Sequence, residues 1–282
     1  MSSSSVIGVD LGGTKMALVR FDTETWQPQE ADVIPTEASR GFSAVFETMI
    51  DAIERFRQPD TVAVGVGVPG LVHQPDGILL NAPNLPEARD IPLKKMLEER
   101  LKLPIALEND ARSFTLAEAL LGAGKDHRVV IGVTLGTGVG GGIVLDGHIL
   151  HGEHGYAGEI GHMLLQPGQS PFAVDQRQGE VEHFLSGTAL KKRGATADEP
   201  PATFVQEAAW FCLNLTYVLN PSVIVVGGGA GKALSDRAAE VERELQTLAL
   251  PGVPLPSIVP AELKNAGALG CALLAYSLTQ EQ

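Results

Sequence analysis

Cysteine is scarce in this sequence, with only Cys212 and Cys271 among 282 residues. Two cysteines cannot build a disulfide framework or a four-cysteine metal site, so a small disulfide-stapled secreted domain is excluded and a reducing cytoplasm is favoured. No unbroken run of about 20 apolar residues occurs, so we expect no membrane-spanning segment. The first residues lack a charged region followed by an apolar run, so no secretory signal is expected.

Positive charge is also in short supply. Lys and Arg number 21 against 34 Asp and Glu, which gives a formal net charge of −13. Phosphate backbones and anionic lipids repel such a surface, so nucleic acid and membranes are not expected partners. Nucleotides stay possible, because backbone N–H groups can bind phosphate without basic side chains. The 44% of hydrophobic residues is enough for an ordered globular protein of two lobes.

Strand-like and helix-like segments alternate along the chain, which predicts an α/β fold. Short apolar runs of the buried-strand type occur at 61–68, 104–108 and 222–226. Apolar residues at helical spacing occur at 42–56, 93–101, 111–121, 204–219 and 266–278.

A glycine-turned hairpin occurs twice in the sequence. Residues 6–14 align with residues 130–138, with the letters Ile-Gly-Val-x-Leu-Gly in register and Thr134 in place of Asp10. Such a duplication predicts two related lobes. Glycine turns let N–H groups converge on phosphate, and a carboxylate at a strand end can hold Mg²⁺ directly or through water. We therefore predict a nucleotide cleft between the two hairpins; the alternative is two simple turns.

Neither of two well-known glycine-rich nucleotide motifs, the dinucleotide-binding fingerprint and the P-loop, is supported by this sequence. Gly65–Gly70 and Gly136–Gly141 both satisfy G-x-G-x-x-G, but neither is followed by a helix pattern, which disfavours a Rossmann dehydrogenase. Lys232 fails as a P-loop lysine, because Val226 stands at the first glycine position and Ala233 at the hydroxyl position.

Six motifs together cover nearly the whole chain. They are Asp10–Lys15 (DLGGTK), Gly67–Gly70 (GVPG), Glu108–Asp110 (END), Leu135–Gly142 (LGTGVGGG), Gly158–His162 (GEIGH) and Leu219–Gly229 (LNPSVIVVGGG). In this order they resemble the bacterial ROK sugar kinases. The resemblance implies a duplicated actin-like ATPase (ribonuclease H-like) fold with two lobes and a central cleft. It also implies phosphorylation of a hexose by ATP with Mg²⁺, commonly by a homodimer. We expect a small lobe of 1–110 joined by the C-terminal helix 266–282, and a large lobe of 111–265.

The resemblance assigns roles to individual residues. Asp110 matches the general base that takes the proton from the sugar hydroxyl, although an Asp here could instead only cap the helix predicted from Ala111. The positions that match sugar contacts are Gly70, Asn84, Asn109, Asp110, Glu159, His162 and Glu182. The positions that match contacts to ATP, with Asp10 also for Mg²⁺, are Asp10, Gly12, Gly13, Thr14, Lys15, Gly136, Thr137, Gly138, Gly227, Gly228 and Gly229.

The chain departs from the family after its Gly-His motif. Many ROK proteins carry a Cys-x-Cys-Gly-x-x-Gly-Cys zinc cluster there, with the motif's histidine as fourth ligand. Residues 163–180 contain no cysteine, so we expect no zinc site. A site made by Asp175, Glu180 and His183 with His162 is the alternative, but no ligand spacing supports it.

His162 then needs another means of orientation. We predict a hydrogen bond from its second ring nitrogen to a carboxylate or a backbone carbonyl. An apolar plug in place of the metal is predicted from Leu164, Leu165, Phe172–Val174 and Val181. His151 and His154 are interpreted as ordinary loop histidines.

The identity of the sugar substrate remains open at this point, as does an alternative function as a sugar-responsive regulator. The aromatic residue that often follows the Asn-Leu-Pro turn is missing at 87–89, and glucose, mannose, fructose, N-acetylglucosamine and N-acetylmannosamine all stay possible. A sugar-responsive regulator of the same family would carry a winged-helix domain before Asp10, where only Met1–Ser5 precede the first strand. The alternative is therefore a regulator without its own DNA-binding domain. A chaperone-like ATPase is disfavoured by the polar set of Glu159, His162 and Glu182.

Overall fold

This computed structural model describes residues 4–74, 76–82, 85, 87–174 and 177–280. Strands and helices alternate along these residues, which confirms the α/β class. The strands are β1 (Ser5–Leu11), β2 (Lys15–Asp22), β3 (Pro28–Pro35), β4 (Thr61–Val68), β5 (Leu71–His73), β6 (Ile78–Asn81), β7 (Arg89–Ile91), β8 (Ile105–Asn109), β9 (Val129–Leu135), β10 (Val139–Leu145), β11 (His148–Ile149), β12 (Val223–Gly227) and β13 (Ser257–Pro260). The α-helices are α1 (Phe42–Phe56), α2 (Leu93–Leu101), α3 (Asp110–Leu121), α4 (Glu182–Leu185), α5 (Gly187–Lys192), α6 (Phe204–Leu219), α7 (Lys232–Ser235), α8 (Ala238–Leu248) and α9 (Ala266–Gln280). Within the described ranges, none of these helices combines the length and the hydrophobicity needed to cross a bilayer.

The chain divides into two compact units. Unit 1 consists of the chain up to Ala117, the short segment His151–Tyr156 and the chain from Lys264 onward. Unit 2 consists of Glu118–Leu150 and Ala157–Leu263. The last helix, α9, therefore belongs to the same unit as the first hairpin.

Each unit contains a five-stranded mixed sheet, and the two sheets have the same plan. In unit 1 the order is β3-β2-β1-β4-β8, with β1 antiparallel to β2 and parallel to β4, and with β4 parallel to β8. In unit 2 the order is β11-β10-β9-β12-β13, with the same orientations at the matching positions. The repeat seen in the two hairpins is thus a repeat of the whole sheet, which confirms the predicted duplication.

Apolar helix faces cover the sheets and form the two cores. In unit 1, Val45, Met49 and Ile53 of α1 follow helical spacing and are buried in one cluster with Val64 and Val66 of β4. In unit 2, α6 supplies Phe211 and Leu215 to a cluster that contains Ile131 and Val133 of β9. Each such side chain contributes roughly 1.5–3 kcal/mol when it leaves water, so these faces provide most of the driving force that holds the sheets in place.

Helix α9 lies unusually close to the strands of unit 1, and glycine makes this approach possible. A Cβ placed on Gly8 of β1 would lie 2.0 Å from the carbonyl oxygen of Ala268, and one on Gly65 of β4 would lie 1.9 Å from that of Cys271. Any side chain is excluded at both positions, which accounts for glycine at Gly8 and Gly65. The same close packing brings Gly267 of α9 against Asp10.

Candidate active site

Asp10 lies near the end of β1, in contact with α9. A Cβ on Gly267 would lie 2.7 Å from its Oδ2 atom, so the carboxylate is packed against the helix backbone. Burial raises the pKa of Asp10 above its ordinary value, and the positive charge of Lys15 offsets part of that rise. A carboxylate that is partly withdrawn from water is stabilised by a further cation, and carboxylate oxygen is the ligand type that Mg²⁺ prefers. The donor chemistry at Asp10 therefore fits Mg²⁺.

The turn after β1 is closed by backbone hydrogen bonds. The N–H of Gly12 donates to the carbonyl oxygen of Lys15 at 2.9 Å. Thr36, the residue after β3, supports the turn with two hydrogen bonds. Its hydroxyl donates to the carbonyl oxygen of Gly12 at 2.7 Å, and its N–H donates to the carbonyl oxygen of Thr14 at 3.0 Å. Gly12 and Gly13 are half-buried, whereas Thr14 and Lys15 are exposed. Gly12 to Lys15 thus share one hydrogen-bonded turn, with a hydroxyl and an ammonium group accessible to a ligand.

The junction of β8 and α3 carries Asn109 and Asp110. The side-chain oxygen of Asn109 accepts the N–H groups of Ala111 at 3.0 Å and Arg112 at 3.1 Å. The Oδ1 atom of Asp110 also accepts the N–H of Ala111, at 2.8 Å. The helix begins at Asp110 and not at Ala111. The residue that caps α3 is therefore Asn109 and not Asp110. Asn109 directly precedes the first helical residue, so its side chain reaches the N–H groups of the second and third helical residues.

Gly70 joins these two residues in unit 1. The side-chain N–H of Asn109 donates to the carbonyl oxygen of Gly70 at 3.0 Å. Gly70 has a φ of +106°, and a Cβ there would lie 2.1 Å from the carbonyl oxygen of Asn81, so only glycine fits. Three of the residues predicted to contact the sugar, Gly70, Asn109 and Asp110, therefore come together. Asn84 lies outside the described residues.

A buried ionic network flanks Asp110 in the sequence and includes a residue that the sequence interpretation misjudged. The Nε2 atom of His151 lies 2.6 Å from Oε2 of Glu108. The other oxygen of Glu108 accepts the N–H of Asn109 at 2.8 Å and lies 3.5 Å from a guanidinium nitrogen of the fully buried Arg112. His151 lies on a loop, as interpreted, but its ring contacts a buried carboxylate and is therefore not that of an ordinary loop histidine. No local pattern could reveal this contact, since 43 residues separate the two partners.

The second hairpin, in unit 2, has its own glycine turn. The N–H of Gly136 donates to the carbonyl oxygen of Gly138 at 3.0 Å. The glycine run after β12 packs on the strand that enters this turn, because the N–H of Ala230 donates to the carbonyl oxygen of Leu135 at 2.7 Å. Gly228 has a φ of +85°, and a Cβ there would lie 2.5 Å from the same oxygen. The structure therefore brings the predicted ATP residues of unit 2 together in one place.

Glu182, which matches a sugar contact, also supports this turn. Its Oε2 atom accepts the N–H of Val139 at 2.9 Å. A Cβ on Gly138 would lie 2.3 Å from the same oxygen, so glycine leaves the space that the carboxylate occupies. The residue assigned to the sugar is thus in direct contact with the turn assigned to the phosphates.

Glu159 and His162 lie on one tight turn of unit 2. A single 3₁₀ turn spans Ile160–His162, and the N–H of His162 donates to the carbonyl oxygen of Glu159 at 3.2 Å. A Cβ on Gly161 would lie 2.0 Å from the carbonyl oxygen of Val139, which shows how closely this turn packs on the start of β10. The packing holds both polar residues beside the strand that leaves the glycine turn.

His162 is oriented by a carboxylate, as the sequence predicted. Its Nδ1 atom lies 2.9 Å from Oε2 of Glu180, a side chain that is almost completely buried. The other oxygen of Glu180 lies 3.0 Å from Nε of Arg177.

The apolar plug is only partly confirmed. Val181 is buried in the core of unit 2, and Leu165 packs against that core. Leu164 is 54% exposed, because neighbouring residues of an extended segment point to opposite sides. Phe172 does not join the core; its ring contacts the ring of His183 edge-to-face.

Metal-ligating side chains are not clustered in the described ranges. No group of three or more His, Cys, Asp or Glu residues is placed to hold a metal ion there. Asp175, the first residue of the alternative metal site, lies outside those ranges. The remaining residues of that alternative, Glu180 and His183, do not form such a group with His162 in the described part of the chain.

Comparison with known proteins places these features in a family context. The model of the ROK family matches residues 6–202. The chain is 34% identical to a glucokinase of Halalkalibacterium halodurans, over 90% of this chain and 88% of that protein.

Two solved structures are similar over nearly the whole chain. One is a ROK hexokinase from Thermus thermophilus, with 33% identity, a TM-score of 0.82, and coverage of 99% of this chain and 100% of that one. The other is a ROK family glucokinase from Streptomyces griseus in complex with glucose and AMPPNP, with 28% identity, a TM-score of 0.77, and coverage of 97% and 100%. These neighbours confirm the duplicated actin-like ATPase fold.

Proposed function

Because this chain belongs to the ROK family and is an ATP-dependent sugar kinase, we propose that its substrate is a hexose, with glucose as the first candidate, and that Asp110 is the general base. The glucokinase similarity supports glucose, although pocket shape and not a motif decides between hexoses. The observation that carries the proposal for the base is the position of Asp110 at the first residue of α3, directly after β8.

Asp110 has the chemistry that the reaction needs. Phosphoryl transfer depends mainly on positioning and charge neutralisation, so one carboxylate near the attacking hydroxyl is sufficient as a base. Asn109 fixes the backbone on the N-terminal side of Asp110 by capping α3 and by binding Gly70. The carboxylate of Asp110 therefore accepts the proton of the sugar hydroxyl from a backbone position that its neighbours set, with little freedom to reorganise.

ATP is proposed to bind through the two glycine turns and the glycine run after β12. The turn from Gly12 to Lys15, the turn from Gly136 to Gly138 and the run from Gly227 to Gly229 supply backbone N–H groups for phosphate and close backbone surfaces for the nucleotide. Asp10 would hold Mg²⁺, directly or through water, and the ion supplies positive charge to the phosphates. The raised pKa of Asp10 supports this role, since a cation stabilises its ionised form.

The proposed sugar-binding residues offer amide, carboxylate and imidazole groups, each of which pairs with hydroxyls in a defined direction. In unit 1 the amide of Asn109 is held by its contact with Gly70. In unit 2 the 3₁₀ turn from Ile160 to His162 positions the imidazole of His162, and the start of α4 positions the carboxylate of Glu182. Asn84 is assigned by resemblance alone. The proposed set is Gly70, Asn84, Asn109, Asp110, Glu159, His162 and Glu182.

A coupled ADP-release assay over glucose, mannose, fructose, N-acetylglucosamine and N-acetylmannosamine tests the proposal. We expect ADP release that depends on one or a few of these sugars and a sugar phosphate formed in equal amount. ATP hydrolysis that no sugar accelerates, or ADP without sugar phosphate, would overturn the hexose proposal. The homodimer and the cytoplasmic location stay predictions, which light scattering and cell fractionation test.

A further inference from the structure

Glu180 stands out among the carboxylates of unit 2, because it is buried and yet contacts a half-exposed histidine. Its residue is 4% exposed, whereas the side chain of His162 keeps 42% of its surface exposed. Oε2 of Glu180 lies 2.9 Å from Nδ1 of His162, and Oε1 lies 3.0 Å from Nε of Arg177. Both carboxylate oxygens therefore face a nitrogen donor.

The backbone around Glu180 is fixed by pairing with the segment that follows His162. The N–H of Val181 donates to the carbonyl oxygen of Met163 at 2.9 Å, and the N–H of Leu165 donates to that of Gly179 at 2.7 Å. Gly179 has a φ of +96°, and a Cβ there would lie 1.9 Å from the carbonyl oxygen of Gln166. The backbone of Glu180 thus cannot move away from His162 without breaking this pairing.

The contact decides which ring nitrogen of His162 carries the proton. A carboxylate oxygen accepts hydrogen bonds and does not donate them, so Nδ1 must be the donor. In a neutral imidazole the other nitrogen, Nε2, then has no proton and offers a lone pair. Nε2 is therefore the hydrogen-bond acceptor that this half-exposed side chain can offer to a ligand.

We propose that Glu180 is the positioning residue that holds His162 in the Nδ1–H tautomer, so that Nε2 accepts a hydrogen bond from a sugar hydroxyl. This inference rests on the proposed sugar kinase function. The site then recognises an O–H donor, and a sugar derivative that lacks this hydroxyl leaves the nitrogen unpaired. Glu180 does not touch the reacting atoms, so it acts on sugar affinity through His162.

Glu180→Gln tests the hydrogen bond between Glu180 and His162, with little change in the volume of the side chain. We expect Arg177 to donate to the amide oxygen, which turns the amide N–H₂ toward Nδ1 and moves the imidazole proton to Nε2. The sugar site then loses its acceptor. Calorimetric titration of glucose, or of the sugar preferred in the ADP-release assay, should show affinity about tenfold weaker, the effect of one lost hydrogen bond. KM for the sugar should rise by a similar factor, with a much smaller change in kcat and in KM for MgATP.

Glu207→Gln is the matched control. Glu207 is another buried carboxylate of unit 2 with 4% exposure, and its two oxygens lie 2.8 and 2.9 Å from the guanidinium nitrogens of Arg193. Loss of its charge should lower the thermal midpoint and leave sugar affinity unchanged. If both variants weaken sugar binding equally, the effect is general destabilisation and the proposal fails.

Imidazole nitrogen NMR gives a readout that does not depend on turnover. The wild-type signals assigned with His162→Ala should show a protonated Nδ1 and an unprotonated Nε2. A wild-type protein with the proton on Nε2, or unchanged sugar affinity in Glu180→Gln, would overturn the inference. If the wild type phosphorylates no hexose, the proposed function fails, while the NMR measurement still decides the tautomer.

Discussion

The side-chain amide of Asn109 donates a hydrogen bond to the carbonyl oxygen of Gly70 over 3.0 Å. The oxygen of the same amide accepts the N–H of Arg112, so one side chain ties the loop after β4 to the first turn of α3. Asp110 is the next residue, and its backbone position is therefore set largely by Asn109. A change at Asp110 should alter the chemistry of the site without moving this junction.

Asp110→Asn keeps the size of the side chain and removes the base. We expect kcat to fall by at least ~10², the usual scale of general base catalysis, because the sugar hydroxyl then keeps its proton as it attacks. KM for the sugar should change little, since the amide retains a hydrogen-bonding oxygen. Steady-state ADP release and a thermal melt of the same preparation measure both quantities.

Asn109→Ala is the control for this prediction. It removes the cap of α3 and the bond to Gly70, so it should lower the free energy of unfolding by about 1–2 kcal/mol. Asp110→Asn should leave that free energy nearly unchanged. If Asp110→Asn turns over at the wild-type rate, Asp110 has no part in proton transfer.

Asp10→Asn should make the protein more stable at neutral pH and less active with MgATP. Burial raises the pKa of Asp10 above its ordinary value of 3.8. Between that value and the raised one, the folded state binds more protons than the unfolded state, so stability falls as pH rises through this window. Above the window the ionised Asp10 costs free energy, and Asn avoids this cost. Urea unfolding should therefore give a higher free energy of unfolding for Asp10→Asn than for the wild type at pH 7.5. This difference in free energy should shrink as pH approaches about 4.

The kinetic half of this prediction concerns the metal. The Mg²⁺ concentration that gives half-maximal activity should rise in Asp10→Asn, while calorimetric sugar affinity stays unchanged. Asp32→Asn is the matched control on the same sheet, because Asp32 is exposed on β3. It should change neither stability nor Mg²⁺ dependence. An equal loss of sugar affinity in Asp10→Asn would mean that Asp10 supports the unit and not the metal.

Glu182→Ala should weaken both substrates. Its Oε2 atom accepts the N–H of Val139 at the end of the turn that contains Gly138. Removal of this carboxylate leaves that N–H without its partner and opens space beside the turn, so KM for MgATP should rise together with KM for the sugar. Each should rise by about tenfold, as for one lost hydrogen bond.

Glu182→Gln separates the two roles. The amide keeps an oxygen that can accept the N–H of Val139, so KM for MgATP should return to nearly the wild-type value. KM for the sugar should stay raised, because an amide accepts hydroxyl protons more weakly than a carboxylate does. Glu182→Ala with an unchanged KM for MgATP would show that the turn needs no support from this residue.

Local patterns in the sequence were sufficient for the elements with strong periodicity or clear turn signals. The predicted bounds of α1, α2, β4 and α6 agree with the structure, because apolar spacing and breakers such as Pro69-Gly70 mark them. The exposed edge strand β3 was missed. All of its residues except Ile34 are exposed, and the strand is specified by its pairing with β2, which no local pattern encodes.

The site was predictable where a motif lies on one turn and not where distant residues meet. Asp10 to Lys15 and Gly136 to Gly138 were recognised because each run is continuous in the sequence. The contact of His151 with Glu108 has no such signal. For His162 a polar partner was predicted, but its identity as Glu180 follows only from the pairing of Met163 with Val181.

Zinc is held in proteins by clustered thiolates, imidazoles and carboxylates, and no such group of three or more occurs among the described residues. Cys212 and Cys271 are fully buried, and burial raises the pKa of the Cys212 thiol to about 12 and that of Cys271 well above its ordinary value. Neither thiol is therefore available as a thiolate ligand near neutral pH. The Nδ1 atom of His162 already binds Glu180, so the imidazole is oriented without a metal.

We therefore predict that the purified protein carries no stoichiometric zinc and needs none for activity. Elemental analysis of protein prepared without chelator should find no equivalent of zinc per chain. Treatment with a chelator, followed by its removal and by restoration of Mg²⁺, should return sugar kinase activity to its starting value, because Glu180 and not a metal holds His162. Omission of the Mg²⁺ restoration is the control and should leave the enzyme inactive. About one tightly held zinc per chain, with activity lost on its removal and recovered only by zinc, would contradict the prediction and direct attention to Asp175 and His183.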